Sequence, residues 1–117
     1  MCLLLVVDDD DLVRESLAAL LSLLGHDIIQ ARDGLEAAII YLSKHDKIHL
    51  IIMDTVMPKM DGIAATKVIK KDHPSAKVIL MTGKSDQLLP KEADALLLKP
   101  FRYMELCETV EQVLQMA

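Results

Sequence analysis

The chain has 117 residues, 18 of them acidic and 13 basic for a net charge of −5, and is 52% hydrophobic and 26% charged; this is material for one packed domain, and the composition is not that of a disordered chain. Only Tyr41, Phe101 and Tyr103 are aromatic, and an acidic chain poor in stacking rings argues against direct nucleic-acid binding by this domain. No apolar run approaches the ~18 residues that span a bilayer, and Met1 to Leu5 lacks a basic leader and a cleavage site, so a cytoplasmic protein without membrane contact is expected.

Leu3 to Val7 is a continuous apolar run ending in Asp8-Asp9-Asp10-Asp11, the pattern of a strand buried on both faces that emerges into solvent. Leu12 to Leu24 follows as a helix, with Val13, Leu17, Leu20, Leu21 and Leu24 as its inner stripe, Asp11 as cap and Gly25 as stop. Asp27 to Ala31 is a second strand, Asp33-Gly34 a turn, and Leu35, Ala38, Ile39 and Leu42 mark the inner side of a second helix. A third strand, His49 to Met53, ends at Asp54. Gly62 to Lys71 is a helix with Ala65, Val68 and Ile69 inward, stopped by Pro74, and Lys77 to Met81 is a strand ending at Thr82. The interval from Gly83 to Asp94 leaves room for about two turns of helix around Pro90. Ala95 to Leu98 is the fifth strand, ending at Lys99-Pro100, and Tyr103 to Met116 is a last helix with Leu106, Val110, Val113 and Leu114 inward.

Alternating strands and helices with short connections imply parallel strands joined by right-handed crossovers. The expected fold is a doubly wound α/β sheet of five parallel strands in the order 2-1-3-4-5, flavodoxin-like. In such sheets ligands bind outside the carboxyl ends of the strands. Asp8 and Asp9, Asp54, Thr82 and Lys99 end four different strands, so the topology collects three carboxylates, a hydroxyl and an ammonium on one rim. Crowded carboxylates repel unless a cation neutralises them. Hard oxygen donors without a soft ligand favour Mg²⁺ over Zn²⁺. A carboxylate beside Mg²⁺, a lysine and a hydroxyl is equipment for phosphoryl transfer, with Asp54 as the nucleophile. Asp10 and Asp11 are read as helix-capping residues instead. Cys2 and Cys107 have no CxxC spacing and His26, His45, His49 and His73 are scattered, so none receives a chemical role.

The chain resembles the receiver domain of two-component response regulators, including the single-domain, chemotaxis-type members. The resemblance rests on Leu-Val-Val-Asp-Asp at 5–9, Ala-Arg-Asp-Gly-Leu-Glu-Ala at 31–37, Met-Asp-Thr-Val-Met-Pro-Lys-Met-Asp-Gly at 53–62, Val-Ile-Leu-Met-Thr-Gly at 78–83 and Leu-Lys-Pro-Phe at 98–101. It implies one receiver domain over residues 1–117, a signalling domain that only assists its own phosphorylation and dephosphorylation. By the same resemblance Asp54 accepts a phosphoryl group from a sensor histidine kinase or a histidine phosphotransfer protein, and small phosphodonors serve as well. Asp9 and Asp54 would bind Mg²⁺ directly, Asp8 largely through water, and the Val56 carbonyl would add an oxygen. Lys99 would pair with the phosphoryl group, Thr82 would swing towards it as the switch, and the Lys99-Pro100 bond would be cis. The output partner or domain is not identified.

Three features depart from the family pattern. Thr82 to Lys99 spans 17 positions, shorter than is usual in the family, which implies a shortened fourth helix and approach loop and an altered output face. Leu96 stands where an aromatic residue is common, so the coupled threonine-and-aromatic switch cannot work in its usual form. Val56 and Lys84 frame the path of an attacking water, and apolar Val56 cannot orient it, which predicts slow self-dephosphorylation. Three other readings compete. Asp8-x-Asp10 matches the nucleophile motif of haloacid dehalogenase-type phosphatases, but no Asp follows Lys99 to complete a metal site. A flavodoxin-like electron carrier would need a phosphate-binding loop where four carboxylates stand. A receiver that docks partners without being phosphorylated is the third.

Overall fold

Five short apolar segments pair side by side in the computed structural model, which describes residues 2–83 and 91–116. They are β1 (Leu3–Val7), β2 (Asp27–Ala31), β3 (Leu50–Asp54), β4 (Val78–Thr82) and β5 (Ala95–Leu98), all parallel and ordered β2-β1-β3-β4-β5. The helices between and after them are α1 (Asp11–Leu23), α2 (Gly34–Lys44), α3 (Gly62–Asp72) and α4 (Tyr103–Leu114). The topology is the doubly wound, flavodoxin-like one expected.

The alternation of side chains along each strand divides the core into two layers. Leu5, Val7, Ile51, Met53, Val78 and Leu80 point to one face, where Ala37, Tyr41, Ala65 and Ile69 of α2 and α3 cover them. Leu4, Val6, Leu50, Ile52, Ile79 and Met81 point to the other, where Leu17, Leu21, Leu106 and Val110 of α1 and α4 lie. Strands covered on both faces need apolar residues at every position, which explains the unbroken runs of β1, β3 and β4.

Several sequence expectations need correction. Asp10, not Asp11, caps α1: its Oδ1 accepts from the Leu12 and Val13 backbone N–H at 3.0 and 3.3 Å. Asp11 is thereby the first helical residue, and Leu24 is half exposed rather than inward. Gly25 does end the helix, at φ 95°, a left-handed conformation glycine adopts without strain. The inner side of α2 is Gly34, Ala37, Ala38 and Tyr41, while Leu35, Ile39 and Leu42 are exposed. Small residues face inward because the helix runs very close to its neighbour: a Cβ on Gly34 would stand 2.1 Å from the Met60 carbonyl oxygen. Likewise α3 buries Gly62, Ala65, Thr66 and Ile69 and leaves Val68 exposed. The helix expected between Gly83 and Asp94, and with it the shortened fourth helix, falls mainly on residues 84–90, outside the described residues; Lys91–Asp94 form turns and a bend.

Candidate functional site

The parallel strands bring the five polar residues singled out from the sequence to the carboxyl edge of the sheet. β1 runs into Asp8, β3 ends in Asp54, β4 in Thr82, and β5 runs into Lys99. Register places Asp54 opposite Met81 and Thr82 opposite Leu98, and the Lys99 N–H donates to the Thr82 carbonyl at 2.7 Å. Thr82 is itself buried. The Lys99-Pro100 peptide is cis, as expected.

Asp8, Asp9 and Asp54 each bring a carboxylate oxygen to within 4.8 Å of the others, the one such group of metal-ligating side chains among the described residues. Lys99 Nζ lies 3.2 Å from Asp54 Oδ2 and 3.4 Å from Asp8 Oδ2. Asp8 is buried, and burial, the largest influence, pushes its carboxyl above the usual carboxylate range, aided by the Asp54 charge and opposed by the Asp10 N–H and Lys99. For Lys99, burial disfavours the ammonium, but the charges of Asp54 and then Asp8 outweigh it and hold the group above its ordinary value. Among the described residues, one ammonium faces three carboxylates, which leaves net negative charge in a partly buried place. The donors are all hard oxygens, with no histidine or thiol among them, which fits Mg²⁺ in chemistry.

Around this cluster the backbone is tightly held. Asp8 Oδ1 accepts from the Asp10 N–H at 2.9 Å, so Asp8 also orders the acidic turn. The Val56 N–H points towards Asp54 Oδ1 at 3.5 Å, and the Val56 side chain is exposed beside it. A Cβ on Gly62 would meet the Asp54 carbonyl oxygen at 2.1 Å, so only glycine lets α3 begin directly against the residue that ends β3. Lys84 lies outside the described residues. Asp10, the second carboxylate of the phosphatase-type motif, is spent on capping α1 and does not join the cluster. Sequence reasoning missed Arg14, a buried arginine that donates from Nη1 to the Asp8 carbonyl at 3.0 Å. Its position in phase with Leu17 and Leu21 on the apolar side of α1 was the available signal.

An acidic cluster beside a lysine at the carboxyl edge of a doubly wound sheet is suited to phosphoryl transfer, and comparison with known proteins identifies the class of signalling domain that carries it. The response regulator receiver domain model matches residues 4–111. The probable transcriptional regulator ycf27 of Porphyridium aerugineum is 34% identical over 116 residues, covering 96% of this chain and 48% of that protein. Sensor kinase CckA of Brucella abortus is 32% identical over 116 residues, 95% of this chain and 12% of that kinase. The chain thus spans about half the length of the regulators it matches, 48% for ycf27, and a smaller part of the kinase. Among solved structures, a chain of the CheX-CheY-BeF3-Mg+2 complex from Borrelia burgdorferi superposes with a TM-score of 0.90 at 30% identity, covering 96% of this chain and 88% of that one. Response regulator TrrA of Thermotoga maritima, in complex with Mg(2+)-BeF, gives 0.89 at 34%, covering 97% and 99%.

The chain belongs to the response regulator receiver domain family. The general role of that family in two-component signalling is to accept a phosphoryl group, and its members generally bind Mg²⁺ at an acidic pocket; they are signalling domains that interact with kinases and other partners. No described helix is long and apolar enough to cross a membrane.

Proposed function

We propose that Asp54 is the phosphoacceptor of this receiver, taking the phosphoryl group from a phosphohistidine on a sensor histidine kinase or histidine phosphotransfer protein. The observation that carries this is the placement of the Asp54 carboxylate: 3.2 Å from the Lys99 ammonium and within 4.8 Å of both Asp8 and Asp9. An Asp54 oxygen attacks phosphorus, the P–N bond to the donor imidazole breaks as the P–O bond forms, and an acyl phosphate results. Lys99 follows the charge from the carboxylate to the phosphoryl oxygens, because its Nζ already contacts Asp54 and is held protonated there. Asp8, Asp9 and Asp54, with the Val56 carbonyl, would hold Mg²⁺. When bound, that ion supplies positive charge to the phosphoryl oxygens.

Thr82, at the end of β4 and bonded through its carbonyl to Lys99, is the hydroxyl that turns towards the new phosphoryl group. Leu96 is an aliphatic residue packed against the core layer of α2 and α3, so the change passes through the backbone of β4 and β5 rather than through a swinging aromatic ring. The domain assists only its own phosphorylation and dephosphorylation, in the cytoplasm, and conveys the result to an output partner or domain.

Intact mass after incubation with acetyl phosphate, with and without Mg²⁺, tests the reading. A Mg²⁺-dependent gain of one phosphoryl group in the wild type, absent from Asp54→Ala, supports it. If neither acetyl phosphate nor a phosphohistidine donor labels the wild type, the domain works as a docking module independent of phosphorylation.

A further inference from the structure

We infer that Arg14 is a positioning residue for the cation site: its buried guanidinium fixes the backbone at Asp8 so that the Asp8 and Asp9 carboxylates converge with Asp54. The inference rests on the phosphoacceptor reading above and deepens it.

Arginine on the covered side of a helix is unusual, because a buried guanidinium must recover its lost hydration through partners. Arg14 is only 4% exposed, and every arm of its fork is engaged. Nη1 donates to the Asp8 carbonyl at 3.0 Å, Nη2 to Asp11 Oδ1 at 2.7 Å, and Nε to Gln30 Oε1 at 3.0 Å. One side chain thus joins the end of β1, the first turn of α1 and the edge strand β2. The Asp8 N–H meanwhile donates to the Ala31 carbonyl at 3.2 Å. Residue 8 is therefore held through its N–H from β2 and through its C=O from α1, immediately where the chain turns from strand into the acidic loop.

Two effects of Arg14 on a cation oppose each other. Its charge repels a divalent ion, whereas its hydrogen bonds hold the carboxylates that attract one. Asp11 sits 2.7 Å from Nη2 and cancels much of the guanidinium field, while among the described residues no other side chain bonds the Asp8 carbonyl, so geometry outweighs repulsion. Lysine keeps the charge but cannot make three bonds in a planar fork. Charge and position are therefore separable by substitution.

The test is Mg²⁺ titration of the purified 117-residue chain by calorimetry, alongside acetyl phosphate labelling as a function of Mg²⁺, for wild type, Arg14→Lys, Arg14→Gln and Gln30→Ala. Both Arg14 variants are expected to bind Mg²⁺ about tenfold more weakly, with labelling at saturating Mg²⁺ returning to the wild-type rate. Gln30→Ala shifts the same way by less. An Arg14→Lys protein that binds like wild type, or an Arg14→Gln protein that binds more tightly, overturns the inference, since charge and not geometry would then govern. Should Arg14→Gln fold too poorly to titrate, Arg14→Lys and Gln30→Ala carry the comparison. A wild type that neither binds Mg²⁺ nor takes label overturns the underlying reading itself; a wild type that does both beside unaffected variants overturns this inference alone.

Discussion

Lys99 reaches from the end of β5 to Asp54 at the end of β3, placing Nζ 3.2 Å from Oδ2 across the intervening strand β4. It touches the buried Asp8 as well, at 3.4 Å, and among the described residues is the cation paired with the acidic cluster. Removing it leaves carboxylates facing one another in a partly buried site. Lys99→Met is expected to lose roughly 1–3 kcal/mol of stability in EDTA, and to recover much of it in Mg²⁺. Urea denaturation in the two buffers measures both; equal stability of variant and wild type in EDTA contradicts the balance.

The converse holds for Asp8, whose carboxyl is pushed up chiefly by burial. A folded group that keeps its proton where the unfolded chain has released it makes the folded state less stable once ionised. At neutral pH in EDTA, Asp8→Asn should therefore be more stable than wild type, by about 1 kcal/mol, since the amide still accepts the Asp10 N–H. The same substitution removes an attraction for Mg²⁺, so the metal should raise the melting temperature of the variant far less. A variant less stable than wild type in EDTA would contradict the charge crowding described.

Glycine at 34 tolerates no side chain for a reason of contact. Its Cβ would stand 2.1 Å from the Met60 carbonyl oxygen, whereas one on Gly83 would meet nothing within 4 Å. Gly34 N also donates to that same carbonyl at 3.0 Å. Gly34→Ala should cost roughly 2–3 kcal/mol and Gly83→Ala less than about 0.5. Denaturant midpoints of the two variants check the contrast, and a neutral Gly34→Ala would mean that the Met60 loop yields easily.

The strands and their order were legible because apolar runs ending in polar residues have few interpretations once they alternate with helices. The convergence of Asp8, Asp9, Asp54 and Lys99 followed from topology, since parallel strands share one carboxyl edge. The inner side of α2 was not legible. Periodicity identifies apolar faces, but Leu35, Ile39 and Leu42 and the Gly34, Ala37, Ala38 and Tyr41 side are both apolar, and close approach to Met60 selects the small one. Arg14 was missed because an arginine in a helix reads as solvent-facing. Its phase with Leu17 and Leu21 hinted at the covered side of α1, but the partners that make its burial possible, Asp8 and Gln30, lie 6 and 16 residues away and are not indicated by helical periodicity.

Tyr41 gives the fold an alkaline signature. It is buried under α2 with its ring edge-on to His73 at 5.7 Å, and burial pushes its phenol above the ordinary 10.0. Between the unfolded and folded values the folded state holds a proton that the unfolded state has lost, so stability falls as pH climbs above about 10. Near-ultraviolet titration should show one of the two tyrosines ionising late, and Tyr41→Phe should remove that component and flatten the alkaline decline in stability. A single shared transition at the ordinary value would show that the phenol reaches solvent.

Val56 stands two residues beyond Asp54, with its backbone N–H towards Oδ1 at 3.5 Å, and the residue is 67% exposed. Hydrolysis of an Asp54 acyl phosphate needs a water in line with the P–O bond, and an isopropyl group beside that path offers it no hydrogen bond. Asparagine is close in size and presents both a donor and an acceptor. Because the Val56 side chain is mostly in solvent, its replacement should leave the fold unchanged and act on the water alone. We expect Val56→Asn to shorten the acyl-phosphate half-life roughly three- to tenfold, with the rate of labelling by acetyl phosphate little altered. Following the decay of the phosphorylated mass after removal of the donor measures this directly, and equal half-lives would mean that the attacking water is oriented from elsewhere.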